Sequence, residues 1–182
     1  MGKTVYILLA EGFEEIEAIA PADILRRLEI NTVLVGVSSK TVKGAHGIEI
    51  TADATLNRAV STVPDAVVLP GGMPGAKNLD ACRPVRELVG KVAAEGGVVA
   101  AICAAPMVPG RMGLLDGKKA TCYPGFEEHL SGAEICREAV VTDGNFVTAN
   151  GPAAAADFGF AIGAILKDEV SAAFVRRAMQ FK

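Results

Sequence analysis

The sequence predicts a doubly wound α/β sandwich, a mostly parallel sheet with helices on both faces. Three observations carry that prediction. Short, near-continuous apolar runs such as TVYILLA (4–10) and DAVVLP (65–70) suit strands covered on both sides. Stretches of helical spacing alternate with these runs along the whole chain, as βαβ crossovers require. Hydrophobic residues make up 51% of the 182 residues, which excludes disorder and suffices for the core of one domain over residues 1–182.

Taken in order, TVYILLA is the first strand, and Ile16, Ile19, Ala20, Ile24 and Leu28 after it fall at helical spacing. NTVLVGV (31–37) is the next strand, and Val42 to Thr51 reads as a hairpin turning near GAHG (44–47). DAVVLP follows, and then Leu79 to Ala94 as one helix with Leu88 and Val92 on its inner face. GGVVAAIC (96–103) is a strand leading into a helix that Pro109 and Gly110 keep short or distorted. KATC (119–122) reads as another strand, and AVVTDGNFVTAN (139–150) as two strands around an Asp143-Gly144 turn. Pro152 to Leu166 and Glu169 to Met179 close the chain as helices.

Composition excludes several functions. A net charge of −3 without a basic cluster argues against nucleic acid as a partner. Acidic residues follow TVYILLA at once, so it reads as a strand and not as an export signal. Tyr6 at the sixth position breaks the myristoylation pattern that Gly2 would begin. The uncharged run Gly96 to Gly110 contains two prolines and is too short to span a bilayer, so no membrane association is expected. The four cysteines (Cys82, Cys103, Cys122, Cys136) form no C-x-x-C pair. We therefore expect neither a metal nor a disulfide framework, and a cytoplasmic setting.

In an open parallel sheet, ligands bind beyond the carboxyl ends of the strands. That rule gathers the segments EGFEEIE, GGMPGA, CAAP and YPGF at one edge. Gly71 and Gly72 allow a tight turn whose amides can face an anion, although such pairs are also ordinary strand-exit turns. Cys103 closes a strand amid small residues (Ala100, Ala101, Ala104, Ala105), as a nucleophile elbow requires. A lone cysteine in an alanine-rich strand is more often simply buried. If Cys103 is a nucleophile, a helix start behind the sulfur should lower its pKa. Glu14 and Glu15 suit a solvated helix start, whereas Glu17, flanked by Ile16 and Ala18, is a candidate buried acid beside the thiol.

VVAAICAAP, VVLPGGMPGAKNL, LAEGFEEIEAIAPADILRR and ANGPAAAADFGFAI together resemble the DJ-one/ThiJ/PfpI superfamily, closest to its DJ-one branch. The resemblance runs in order over essentially the whole chain. It implies a flavodoxin-like sandwich forming a homodimer, with Cys103 as a reactive, readily oxidised cysteine and Glu17 as its protonated partner. It also implies an oxyanion-type site built from the amides of Gly72 and Ala104, beside Gly71. The implied activity is a cofactor-free glyoxalase III-type lyase acting on methylglyoxal or glyoxal, or a deglycase-type hydrolase acting on early glycation adducts. Peroxide sensing or a chaperone role through oxidation of Cys103 to sulfinate is the alternative.

Two departures stand out. TCYP (121–124) places Tyr123 where many members carry a histidine; tyrosine can donate a hydrogen bond, as a substrate-binding residue would, but is a poor base near neutrality. That removes most support for a PfpI-like cysteine peptidase with a Cys–His dyad. His46 stands in the hairpin where relatives often present arginine, either as a substrate-binding residue or as a solvated loop residue.

Overall fold

The computed structural model describes residues 2–59 and 61–181. The chain opens with β1 (Thr4–Leu9), α1 (Glu15–Arg27), β2 (Asn31–Gly36) and the hairpin β3 (Thr41–Lys43) and β4 (Glu49–Thr51). It continues through β5 (Ala54–Thr55), α2 (Leu56–Ala59), β6 (Ala66–Leu69), α3 (Gly75–Ala81), α4 (Arg83–Ala94) and β7 (Val98–Ile102). Then come α5 (Met107–Arg111), β8 (Lys119–Ala120), β9 (Glu134–Ile135), β10 (Val140–Asp143), β11 (Phe146–Ala149), α6 (Ala155–Leu166) and α7 (Glu169–Ala178).

Among the described residues, seven strands form one sheet in the order β10-β11-β7-β6-β1-β2-β5. All neighbours are parallel except the β10–β11 hairpin. Alternate residues of the central strands feed two cores. Ile7, Leu9, Val68 and Ile102 pack with Ile24 and Leu25 of α1 and Phe158 and Ile162 of α6. Leu8, Val67, Leu69 and Val99 pack with Leu79, Leu88 and Val92 of α3 and α4. This period-two division is the direct result of β-strand geometry. It makes the protein a flavodoxin-like α/β sandwich.

The topology also positions the site. The chain leaves β1 on one side to form β2 and returns on the other to form β6, so the loops after β1 and β6 diverge at a switch point. β7 lies beside β6, in the register Leu69↔Ala101, and brings Cys103 to that crevice.

Three sequence expectations need correction. Ile16 and Ile19 of α1 are exposed, while Glu15 and Glu17 are buried. The inner stripe of α1 is Glu17, Pro21, Ile24 and Leu28, at helical spacing but beginning with an acid. Close packing on α6 imposes this rotation: a Cβ on Gly159 would lie 3.0 Å from Pro21 Cα. Second, the predicted helix over 79–94 is two helices, interrupted where Cys82 is extended (φ −82°, ψ 104°). Pro84 in the first turn of α4 lacks an N–H and crowds the preceding backbone, so the helix starts afresh there. Third, KATC lies outside the main sheet, and among the described residues β8 pairs with β9 alone. The helix after Cys103 is short, as Pro109 and Gly110 predict, at five residues.

Candidate active site

Cys103 immediately follows β7, and its N–H donates to Ala149 O on the neighbouring strand at 2.8 Å. Its φ is +63°, in the left-handed region that residues with a Cβ rarely adopt. The chain thereby reverses in a single residue and projects a half-buried thiol from the sheet edge, the geometry of a nucleophile elbow. Small neighbours permit it, Ala104 and Ala105 being fully packed.

Gly71 and Gly72 lie directly beneath this turn. A Cβ on Gly71 would stand 2.6 Å from both Cys103 Cβ and Glu17 Oε2, so only glycine fits between the two side chains. Gly72 has a φ of +83°, and a Cβ there would meet the Glu14 N–H at 2.4 Å. The pair is therefore more than a strand-exit turn. The Gly71 N–H donates to Glu17 Oε2 at 2.8 Å across 54 residues of sequence.

Glu17 is fully buried, and its Oε1 has no hydrogen-bond partner among the described residues. The thiol of Cys103 faces this carboxyl. Burial pushes Glu17 up to about 7, against the Gly71 N–H and the Cys103 thiol, which lower it. Burial likewise pushes the Cys103 thiol up, to about 12, helped by the charge on Glu17 and by hydrogen bonding to it. The amides of Gly72 and Ala104 pull the other way, towards thiolate. The expectation of a thiol lowered by a helix start is thus corrected. The five residues of α5 form too short a helix to offset desolvation, and the ionised acid beside the sulfur opposes a second charge.

Tyr123 reaches the site through its backbone, its N–H donating to Cys103 O at 2.8 Å. Its ring is half-exposed, stands edge-on to Phe126 and lies against Gly151. His46 is turned to α1, with Nδ1 3.0 Å from Glu15 Oε2 and 3.4 Å from Glu14 Oε2. The hydrogen bond to Glu15 and the charges of Glu14 and Glu15 hold His46 above its ordinary value. The solvated position expected for Glu15 is overturned: it is buried and accepts the N–H groups of His46 and Ile48. Burial alone would raise its pKa, but these bonds and its own backbone amide hold it below the usual carboxylate range. The signal missed was GAHG, whose Gly44 leaves the room Glu15 occupies. Glu14, Glu15 and His46 are also the one group of possible metal ligands among the described residues, their ligand atoms within 4.8 Å. The Glu15 and His46 atoms are already engaged with one another and with hairpin amides.

A thiol on a left-handed elbow, glycine amides beneath it and a buried acid facing it define a cysteine-centred site on a flavodoxin-like sandwich. Residues 3–164 match the DJ-1/PfpI family model, and the chain belongs to that family. It is 40% identical over 159 residues to protein DJ-1 homolog B of Arabidopsis thaliana, covering 86% of this chain and 36% of that protein. With DJ-1 homolog A of the same plant the coverage is 96% and 47%, so the chain spans less than half the length of either plant relative. A glutathione-independent glyoxalase of Caenorhabditis elegans is 32% identical over 163 residues, with 88% and 87% coverage. A deglycase of Pyrococcus horikoshii is 32% identical over 151 residues, with 82% and 90% coverage. The crystal structure of Drosophila melanogaster DJ-1beta superposes with a TM-score of 0.96 at 34% identity, covering 100% of both chains.

Proposed function

We propose that the chain is a cofactor-independent glyoxalase- or deglycase-type enzyme acting on methylglyoxal, glyoxal or early glycation adducts. Cys103 is the nucleophile and Glu17 the proton carrier. One observation carries this reading: the elbow thiol faces a buried carboxyl pushed up to about 7, able both to give and to take a proton near neutrality. A proton on Glu17 removes the charge that opposes ionisation of the thiol, so that the amides of Gly72 and Ala104 work against burial alone. The reactive state is thiolate beside protonated acid. The names of the worm glyoxalase and the archaeal deglycase support the same chemistry.

With methylglyoxal, the thiolate adds to the aldehyde carbon, and the alkoxide formed takes the Glu17 proton. The resulting carboxylate removes the C–H proton of that carbon and returns it to the neighbouring carbonyl carbon. The hemithioacetal hydroxyl proton passes to the second oxygen. Water hydrolyses the lactoyl thioester so formed, freeing the thiol and lactate. Methylglyoxal and water thus give lactate with no external oxidant or reductant, and glyoxal gives glycolate likewise. Gly72 and Ala104 supply the amides that stabilise the anionic oxygen.

The test is methylglyoxal consumption with lactate detection. Wild type should turn over, Cys103→Ser should not, and equal turnover by both would overturn the reading. Peroxide sensing is the second reading, favoured by the amides that would receive sulfinate oxygens. It predicts one oxidation event per thiol and no aldehyde turnover. A Cys–His dyad has no support, since His46 is engaged with Glu15 and His129 with Phe126 and Arg111.

A further inference from the structure

The turn Gly44–Ile48 between β3 and β4 contributes nothing to the chemistry above, yet it is tied closely to the start of α1. Glu15 Oε1 accepts the His46 N–H at 2.8 Å and the Ile48 N–H at 3.3 Å, and Oε2 faces His46 Nδ1 at 3.0 Å. The carboxylate fits only because residue 44 is glycine: a Cβ there would lie 2.3 Å from Glu15 Oε1. Backbone bonds complete the seam, Ala45 N–H to Phe13 O and Gly12 N–H to Lys43 O, each at 2.8 Å.

The same short segment leads to the thiol. The Glu14 N–H donates to Gly71 O at 3.0 Å, and the Gly75 N–H to Gly12 O at 3.2 Å. The Gly71 N–H in turn donates to Glu17 at 2.8 Å. Hairpin, residues 11–15, Gly71 and Glu17 are therefore linked in one hydrogen-bonded network. Within it α1 has no side-chain N-cap, so its first turn is not fixed by the usual device. Two residues later stands Glu17.

We propose that Glu15 is a positioning residue for the Glu17–Cys103 pair: by gripping the hairpin turn it fixes where the first turn of α1, and hence the Glu17 carboxyl, lies. This rests on the reading of that pair as the reactive centre. The grip needs an acceptor oxygen for the two hairpin amides more than it needs a charge. Glutamine, with its carbonyl oxygen at the Oε1 position, can keep both bonds and turn its amide to His46.

The experiment follows both methylglyoxal kinetics and the rate of Cys103 alkylation by iodoacetamide as a function of pH. Glu15→Ala should lower kcat at least tenfold with KM changed less than threefold, since ångström-scale misplacement of a reacting group costs up to ~100-fold. It should also shift the alkylation midpoint, because the carboxyl that faces the thiol and is coupled to its ionisation has moved. Glu15→Gln should stay within twofold of wild type by both measures. Gly44→Ala, which drives a methyl into the carboxylate, should reproduce Glu15→Ala and serves in its place if that variant does not fold. An unchanged alkylation profile in Glu15→Ala or Gly44→Ala overturns the proposal, as does a glutamine variant as impaired as alanine. Absence of methylglyoxal turnover in wild type sinks the enzymatic reading instead, and the alkylation profiles still decide the role of Glu15.

Discussion

Glu17→Gln keeps the shape of a fully buried side chain and removes its ability to carry charge. In the folded protein the carboxyl is raised from 4.5 to about 7, so the neutral form is favoured by folding. The sign follows. Stability from this group is full at and below the unfolded value of 4.5, is lost progressively as pH rises through about 7, and is flat above that. The span from 4.5 to about 7, at roughly 1.4 kcal/mol per pKa unit, amounts to about 3 kcal/mol. Glutamine carries no such penalty. Its carbonyl can keep the bond from Gly71, while its NH2 faces the Cys103 sulfur, a change whose effect on stability does not follow the titration of a carboxyl. The informative quantity is therefore the change between two pH values, from which that effect drops out. Urea unfolding of wild type and variant, at pH 4.5 and again well above 7, should show the variant gaining about 3 kcal/mol on wild type across that interval. Over the same range the variant should have lost methylglyoxal turnover, since an amide cannot shuttle a proton. A stability difference that does not change with pH would refute the raised carboxyl. Near-wild-type turnover would refute its role.

Gly71→Ala, whose methyl would stand 2.6 Å from both Cys103 Cβ and Glu17 Oε2, should cost at least tenfold in turnover even where circular dichroism shows a folded protein. Iodoacetamide near neutral pH should label Cys103 before Cys82, Cys122 and Cys136, read by peptide mass spectrometry. Cys122, buried where Cys103 is only half-buried, should be among the slow ones, and Cys122→Ser should keep most activity. Sedimentation at micromolar concentration should show a homodimer, with exposed Ile16 and Ile19 of α1 and Ile48 of the hairpin at the contact. A monomer would count against that assembly.

What the sequence determined by itself was the local grammar. Apolar runs of strand length between helical stretches specify a parallel sheet covered on both faces, because each pattern can bury its apolar atoms only in that layering. Cys103 at the end of such a run, with alanines on both sides, is compatible with an elbow, since only small residues tolerate so abrupt a turn, and equally with a buried core cysteine. Gly71 and Gly72 after the preceding strand mark a tight turn, which an ordinary strand exit would also give. What the tertiary structure decided was which distant groups these turns meet. The stripe of α1 could not be read from isoleucines alone, since packing against α6 places an acid, Glu17, in an inner position and leaves Ile16 and Ile19 outside. The pKa of the thiol follows from the same fact: desolvation and a facing carboxyl are properties of three-dimensional neighbours, and they outweigh a five-residue helix. Glu15 and the hairpin, 31 residues apart, meet only because the strand order returns the chain across the sheet edge. Periodicity reports which face of an element is apolar, whereas the charge state of a buried group depends on every element packed around it.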